Sequence, residues 1–119
     1  MAVKSPIKET DHWFIGEDRT LDFYITENNL PLDCSTFAMA FALKRHRWDD
    51  TTIITKTTPT GITVSNGDGT GDLVRVAIED TDTDALLSGN YYYTLRRTDS
   101  GAEVVLAFGP AWLSKAASP

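Results

Sequence analysis

The sequence predicts an all-β protein, an antiparallel β-sandwich of seven or eight strands with one short helical turn, with a small barrel as the alternative arrangement of the same strands. Apolar and polar residues alternate with a period of two along much of the chain, which is typical of strands with one buried face. Turn-forming residues separate these stretches at fairly even spacing. Helical features are confined to one brief segment, and no internal repeat or low-complexity linker divides the chain.

The composition indicates a folded globular domain. The chain has 119 residues, of which 41% are hydrophobic and 24% charged, so a core can form without disulfides or metals. The net charge of −6 argues against a protein that mainly grips nucleic acid. Cys34 is the single cysteine, which excludes an intrachain disulfide and suits assembly in a reducing cytoplasm. No apolar run is long enough to predict a signal peptide or a membrane span, so a membrane is not an expected partner.

One domain is predicted between two short terminal segments. Residues 1–10 are predicted as an N-terminal arm or irregular edge strand, 11–114 as the sandwich and 115–119 as a C-terminal tail. Seven segments have the alternation or the β-branched content of strands. They are residues 21–25, 37–43, 51–56, 62–65, 74–78, 91–97 and 103–108.

The segment 37–43 is unusual because its large apolar residues alternate with alanines. Met39, Phe41 and Leu43 are separated by Ala40 and Ala42. We expect the alanine-bearing face to lie close to another body, which is either the second layer of the sandwich or a neighbouring subunit.

The helical turn is predicted through residues 85–87. Thr81 or Thr83 can cap its N-terminus, and Gly89 can follow its C-terminal end. Tyr91 then enters a strand from a corner, which is a feature of immunoglobulin-like sandwiches, where such a tyrosine hydroxyl bonds the backbone upstream. Tyr91 is therefore predicted to be structural.

Two acidic stretches have some features of a cation site. Asp80, Asp82 and Asp84 form a D-x-D-x-D string, but Ala85 and Tyr91 occupy the positions where a calcium loop needs glycine and glutamate. The polar residues of the second stretch, which is glycine-rich, are Asn66, Asp68 and Asp72. Helix capping explains the first set more simply, and carboxylates alone do not build a site. No metal or other cofactor is predicted.

No set of residues indicates catalysis. His12 and His46 have no metal-ligand spacing with each other or with Cys34, and no nucleophile elbow is present. A dispersed triad would be recognised by geometry rather than by sequence. The chain is predicted not to be an enzyme.

The candidate interface residues are tryptophans and arginines. The only basic cluster contains Arg45 and Arg47 before Trp48. It indicates an anion contact or a charge-matched subunit interface anchored by Trp48, or else a strand end that runs into a solvated loop. Two aspartates follow at once and argue against nucleic acid. Trp13 and Trp112 lie in less regular segments near the two ends, and the sequence leaves core and interface equally open for them.

A longer pattern of strand and turn residues covers nearly the whole chain. Its segments are residues 16–18 before the strand 21–25, 30–33 before the strand 37–43, then 61–64, 86–89, 91–93 (YYY), 95–99 (LRRTD), 101 and 104–109 (VVLAFG). This pattern resembles a group of small virion proteins of tailed bacteriophages and is similar to the N-terminal domain of phage baseplate upper proteins. The sequence departs from that family at residues 34–36, where a leucine and a glycine often follow the aspartate.

The resemblance implies a non-enzymatic structural component of a tailed-phage virion with an immunoglobulin-like sandwich. Its partners would be other virion proteins and copies of itself, and its location would be the virion, assembled in the host cytoplasm. Capsid decoration, neck, tail and baseplate are all open as positions. The alternative function is a receptor- or glycan-binding module, for which Trp48 or Tyr92 would supply an exposed ring. Inhibition of a host factor has no sequence support either way.

Overall fold

The computed structural model describes the backbone of residues 2–4, 13–46, 48–49 and 51–115, and the side chains of 14–46, 48–49 and 51–114. These residues form ten strands and one short helix. In chain order they are β1 (Ala2–Lys4), β2 (Trp13–Ile15), β3 (Arg19–Glu27), β4 (Leu30–Pro31), β5 (Met39–Lys44), β6 (Ile54–Thr57), β7 (Ile62–Ser65), β8 (Leu73–Ile78), α1 (Asp80–Thr83), β9 (Gly89–Arg97) and β10 (Val104–Lys115).

The strands form two five-stranded sheets. The first has the order β1-β3-β8-β7, with β4 paired to β3, and the second has the order β2-β10-β9-β5-β6. Neighbours are antiparallel except β2, which runs parallel to the end of β10. An immunoglobulin-like sandwich places its first, second, fifth and fourth strands in one sheet and its third, sixth and seventh in the other. When the short strands β2, β4 and β6 are set aside, seven strands remain. In chain order their first, second, fifth and fourth members form the sheet β1-β3-β8-β7, and their third, sixth and seventh members form the sheet β5-β9-β10. This is the immunoglobulin-like arrangement, so the predicted fold class is confirmed.

The alternation of apolar residues explains why these two sheets pack on each other. In β3, Phe23 and Ile25 are fully buried while Asp22 between Leu21 and Phe23 is exposed. The rings of Phe23, Phe41 and Tyr93 meet between the sheets with centroids 5.7–6.5 Å apart. Full burial of one such side chain contributes about 1.5–3 kcal/mol. The centre of the core therefore lies between β3 of the first sheet and the adjacent strands β5 and β9 of the second sheet.

Three short strands raise the count above the predicted seven or eight. β1 falls within the predicted arm 1–10, β2 lies ahead of the first predicted strand, and β4 lies in a predicted turn. They have only two or three residues each, which is too few for a periodic pattern to be recognised. The rest of the predicted arm, residues 1 and 5–10, and residues 116–119 of the predicted tail lie outside the described residues.

The last strand is longer than predicted because it continues through Gly109 and Pro110 to Lys115. At Pro110, β10 pairs with β9 alone, since β2 reaches it only from Leu113 onward. A strand tolerates proline where one side has no ladder partner.

The helical turn lies earlier than predicted. α1 begins after Glu79, whose side chain accepts a bond from the backbone of Asp82, while the Asp82 carboxylate accepts one from the Glu79 N–H. The predicted caps Thr81 and Thr83 are therefore not used. Thr83 is instead buried, and its hydroxyl oxygen accepts a hydrogen bond from the Gly16 N–H.

None of the residues that the structure describes forms a helix long and apolar enough to cross a membrane.

Candidate interaction face

The outer face of the second sheet is apolar over much of its area. Its exposed or half-exposed apolar residues on β9 and β10, here called the aromatic face, are Tyr92, Val105, Phe108, Pro110 and Trp112. Phe108 is 61% exposed and Trp112 is 49% exposed. The rings of Tyr92 and Phe108 lie 6.4 Å apart, so the apolar surface is continuous from β9 to β10.

A β-bulge in β10 creates this face. The register with β9 shifts between Val105 and Ala107, and Leu106 and Ala107 are both buried. As a result Val105 and Phe108, three positions apart, both point outward. Strict alternation would have placed these two side chains on opposite faces.

The loop after β5 adds a wall to the aromatic face. Trp48 is 74% exposed, and together with Tyr92, Thr94, Val105 and Phe108 it lines a shallow groove of about 420 Å³. The groove lies between the Trp48 indole and the side chains of β10, with Thr94 of β9 among its lining residues.

The Trp48 indole is held in place by its own loop. It stacks on the ring of His46 with centroids 4.9 Å apart and planes within 2° of parallel. The Asp49 carboxylate accepts a hydrogen bond from the backbone N–H of His46 and so closes the same loop. A highly exposed indole in a fixed orientation loses little conformational entropy when a partner covers it.

Arg45 lies at the corner of the sandwich rather than on the aromatic face. Its guanidinium carbon is 5.0 Å from the centroid of the Tyr91 ring. The Tyr91 hydroxyl donates a hydrogen bond to the Leu87 carbonyl at 2.7 Å, which confirms the predicted corner. Arg45 is therefore a structural contact of that corner while its side chain stays solvent-exposed.

The charged residues on the outward faces of β5, β9 and β10 have one sign, and the one carboxylate described in the adjoining Trp48 loop, Asp49, bonds the backbone of His46. Arg96 on β9 and Lys44 on β5 are basic, and none of the described outward-facing residues of β5, β9 and β10 is acidic. The chain as a whole has a net charge of −6. The aromatic face is therefore locally positive on an acidic molecule.

The structure brings together two of the five predicted interface residues. Trp48 and Trp112 both lie on or beside the aromatic face. Trp13 pairs with Leu113 at the edge of the same sheet, but its side chain is not among those described. Arg47 lies outside the described residues. Phe108 and Val105 were not predicted, because their exposure depends on the bulge.

The polar side chains of the glycine-rich stretch accept hydrogen bonds from the backbone of their own loop. Asp72 is fully buried, and its carboxylate accepts hydrogen bonds from the N–H groups of Gly67, Asp68 and Gly69. Burial acts to raise the pKa of Asp72, but the backbone hydrogen bonds outweigh it and the pKa is lowered. Asn66 accepts a bond from Gly71 N–H in the same loop.

Two aspartates of the D-x-D-x-D string, Asp80 and Asp82, also contact groups of the protein itself. Asp82 pairs with Lys56 at 2.7 Å, and Asp80 accepts a hydrogen bond from the Thr81 N–H. Within the described part of the chain, no group of three or more His, Cys, Asp or Glu side chains is arranged to hold a metal ion.

The cysteine is a core residue. Cys34 is fully buried, and its thiol donates to the Leu32 carbonyl at 3.4 Å. Burial, with smaller contributions from the negative charges of Asp33 and Asp72, raises the pKa of the thiol to about 11. A thiol with that pKa is protonated at neutral pH and is a poor nucleophile.

These features define the class of the molecule as an immunoglobulin-like β-sandwich with an exposed apolar sheet face. The sequence matches no protein-family model and no curated protein. The geometry and chemistry of the aromatic face are therefore the basis for assigning a function.

Proposed function

We propose that this protein is a non-enzymatic structural component of a tailed-phage virion, and that it binds other virion proteins or copies of itself through the aromatic face. The observation that carries the proposal is the continuous exposed apolar surface formed by Tyr92, Val105, Phe108 and Trp112. Monomeric proteins rarely expose large contiguous apolar patches unless a partner covers them. The virion assignment is supported by the resemblance of the strand and turn pattern to small virion proteins.

The physical basis of binding is the removal of aromatic surface from water. Fully burying a phenylalanine-sized side chain contributes about 1.5–3 kcal/mol. Lost rotational and translational freedom offsets a large part of the gain from Phe108, Trp112 and Trp48. One such contact is therefore of modest strength. In a particle with many copies, repeated contacts act together and raise the effective affinity.

Mass spectrometry of purified particles, produced from the genome that encodes this chain, tests the proposal. We expect the protein in the particles, and we expect Phe108→Ser to reduce its copy number. Leu30→Ser is the matched control, because Leu30 is a 67% exposed apolar residue of the other sheet. Absence of the wild-type protein from the particles overturns the proposal. The gene neighbourhood distinguishes capsid decoration from neck, tail or baseplate.

A receptor- or glycan-binding module is the second candidate, and one observation favours it. Trp48, Tyr92 and Phe108 converge on a single groove, and aromatic rings stack on the apolar faces of sugars. Binding of the isolated protein to a glycan array, with loss of that binding in Trp48→Ala, would favour this function over the structural one.

A further inference from the structure

We infer that the occupant of the aromatic face is a second copy of this chain, in a two-fold dimer that seats Phe108 of each copy over Ala42 of the other. The inference deepens the proposed function, because both depend on the same face. It goes further by naming the partner and the residues that meet.

The outer face of the second sheet has a high half and a low half. The high half, here called the ridge, consists of Val105, Phe108, Pro110 and Trp112 on β10. The low half, here called the hollow, consists of Ala40 and Ala42 on β5 and Thr55 and Thr57 on β6. β9 runs between the two halves. Ala40 and Ala42 thus face outward, away from the other sheet of the sandwich. Of the two bodies that the sequence suggested for this alanine-bearing face, a neighbouring molecule is therefore the one that remains.

The register places the key residues of both halves in one row. Thr94 of β9 pairs with Phe108 on one side and with Ala42 on the other. In the same way Arg96 lies in one row with Val105 and Ala40. Phe108, whose ring has a greater exposed fraction than the Trp112 indole, therefore lies level with an alanine of the hollow.

A two-fold axis parallel to β9 makes such a face complementary to itself. This axis exchanges the two sides of the sheet, so the ridge of one copy falls on the hollow of the other. An axis perpendicular to the strands would put ridge on ridge. Aligned sheets pack about 10 Å apart, with large side chains interdigitating.

The size of the face fits a dimer at the small end of specific interfaces. Five strands spaced about 4.8 Å apart give a width of about 20–25 Å. β9 is about 30 Å long, but β2, β5 and β6 have only three, six and four residues and cover less of that length. The sheet therefore offers about 500–550 Å² per copy, against roughly 800 Å² in a standard interface. An area of this size predicts a concentration-dependent monomer–dimer equilibrium.

The charges of the face predict how such a dimer responds to salt. The row at the centre of the face, formed by Phe108, Thr94 and Ala42, is uncharged. A self-complementary contact needs an uncharged centre, because the axis brings each central residue near its own copy. Arg96 lies on the central strand, so the axis brings it near its own copy. Repulsion between the two guanidinium groups weakens the dimer and is screened by salt. An acidic partner on the same face would show the opposite dependence, because salt would screen an attraction.

Sedimentation velocity of the full chain over a range of concentrations tests the inference. We expect a monomer–dimer equilibrium without larger species, because an isologous contact closes on itself. Phe108→Ser should weaken the dimer by about tenfold or more. Arg96→Gln and added salt should each strengthen it. Leu30→Ser should leave it unchanged.

A monomer at every concentration, open-ended growth, or weakening by Arg96→Gln would overturn the inference.

Chemical cross-linking tests the geometry directly. The two facing sheets lie about 10 Å apart, which is too far for a disulfide but within the span of a short bismaleimide. When Ala42→Cys copies are mixed with Phe108→Cys copies, we expect the bismaleimide to join one variant to the other. Either variant alone should cross-link less, since the axis keeps equivalent residues on opposite sides of the sheet. Equal cross-linking of either variant alone would overturn the arrangement.

The outcome for the dimer can be separated from that for the proposed function. If the free protein is monomeric but Phe108→Ser is lost from particles, the dimer is wrong and the structural role stands. If the protein dimerises as described but is absent from particles, the dimer stands and the structural role is wrong.

Discussion

The Tyr91 hydroxyl donates a hydrogen bond to the Leu87 carbonyl, 2.7 Å away, and so ties the start of β9 to the loop that follows α1. The Tyr91 ring is buried, and the guanidinium of Arg45 lies 5.0 Å from its centroid. This corner fixes where β9 enters the second sheet. It therefore also positions Tyr92, the next residue, on the aromatic face.

Tyr91→Phe should destabilise the fold while leaving its packing intact. The variant keeps the ring and removes one hydrogen bond, so we expect a loss of about 0.5–1.5 kcal/mol in the free energy of unfolding. Urea unfolding measures the loss. Tyr92→Phe is the matched control, because Tyr92 is half-exposed on the outer face. Equal effects of the two substitutions would contradict a structural role for the corner.

The buried carboxylate of Asp72 should make stability fall in acid. Its pKa is lowered in the folded state by bonds from the backbone, although burial opposes them. The carboxylate therefore contributes stability above the ordinary aspartate pKa of about 3.9, and this contribution is lost as the pH falls toward the lowered folded value.

Asp72→Asn removes the negative charge and gives up part of the bonding to Gly67, Asp68 and Gly69. We expect a loss of about 1–3 kcal/mol at neutral pH and a weaker acid dependence, measured by urea unfolding across pH. Asp84→Asn, at an exposed aspartate, is the control. An unchanged acid dependence in Asp72→Asn would count against this role.

Gly71→Ala should be more destabilising than Gly101→Ala. Both glycines have positive φ, at +68° and +82°, where a side chain is strained. At Gly71 an added Cβ would also overlap the Asp33 carboxylate, whereas at Gly101 it would meet open space. We expect about 1 kcal/mol for Gly101 and at least twice that for Gly71, measured by thermal unfolding. The reverse order would show that the contact with Asp33 is not a constraint.

Cys34 should react with thiol reagents only when the protein opens. Its thiol is fully buried and its pKa is raised to about 11, so both access and thiolate formation are limited in the native state. Labelling at mildly alkaline pH should be slow in buffer and fast in denaturant. Thr36→Cys in a Cys34→Val background provides an exposed comparison. Rapid native labelling of Cys34 would contradict its place in the core.

The sequence predicted the layers of this fold well where alternation is strict. The burial of Phe23, Phe41 and Leu95 follows from period two alone. The helical turn was placed too late because two carboxylates, those of Glu79 and Asp82, form the capping box in place of a threonine. Glutamate is not among the residues preferred at an N-cap, so the sequence favoured the threonines, whereas in the structure Thr83 is buried and its hydroxyl accepts a bond from the Gly16 N–H.

The interaction face was only partly predictable. Trp48 stood out as the tryptophan of the only basic cluster, and Trp112 as a tryptophan in a less regular segment. Phe108, in contrast, lies in a strand whose simple alternation gives no reason for exposure. The bulge between Val105 and Ala107 changes the facing of every residue after it. A bulge of this kind has no turn residue to mark it, so the sequence pattern did not reveal it.

The central claim is that the aromatic face is covered by protein in the assembled particle. Hydroxyl-radical footprinting, read out by mass spectrometry, compares the oxidation of Phe108 and Trp112 in the free protein, diluted until it is monomeric, and in purified particles. We expect strong protection of both residues in the particle, with Leu30 on the other sheet oxidised to the same extent in both. Equal oxidation of Phe108 and Trp112 in the two states would contradict the claim.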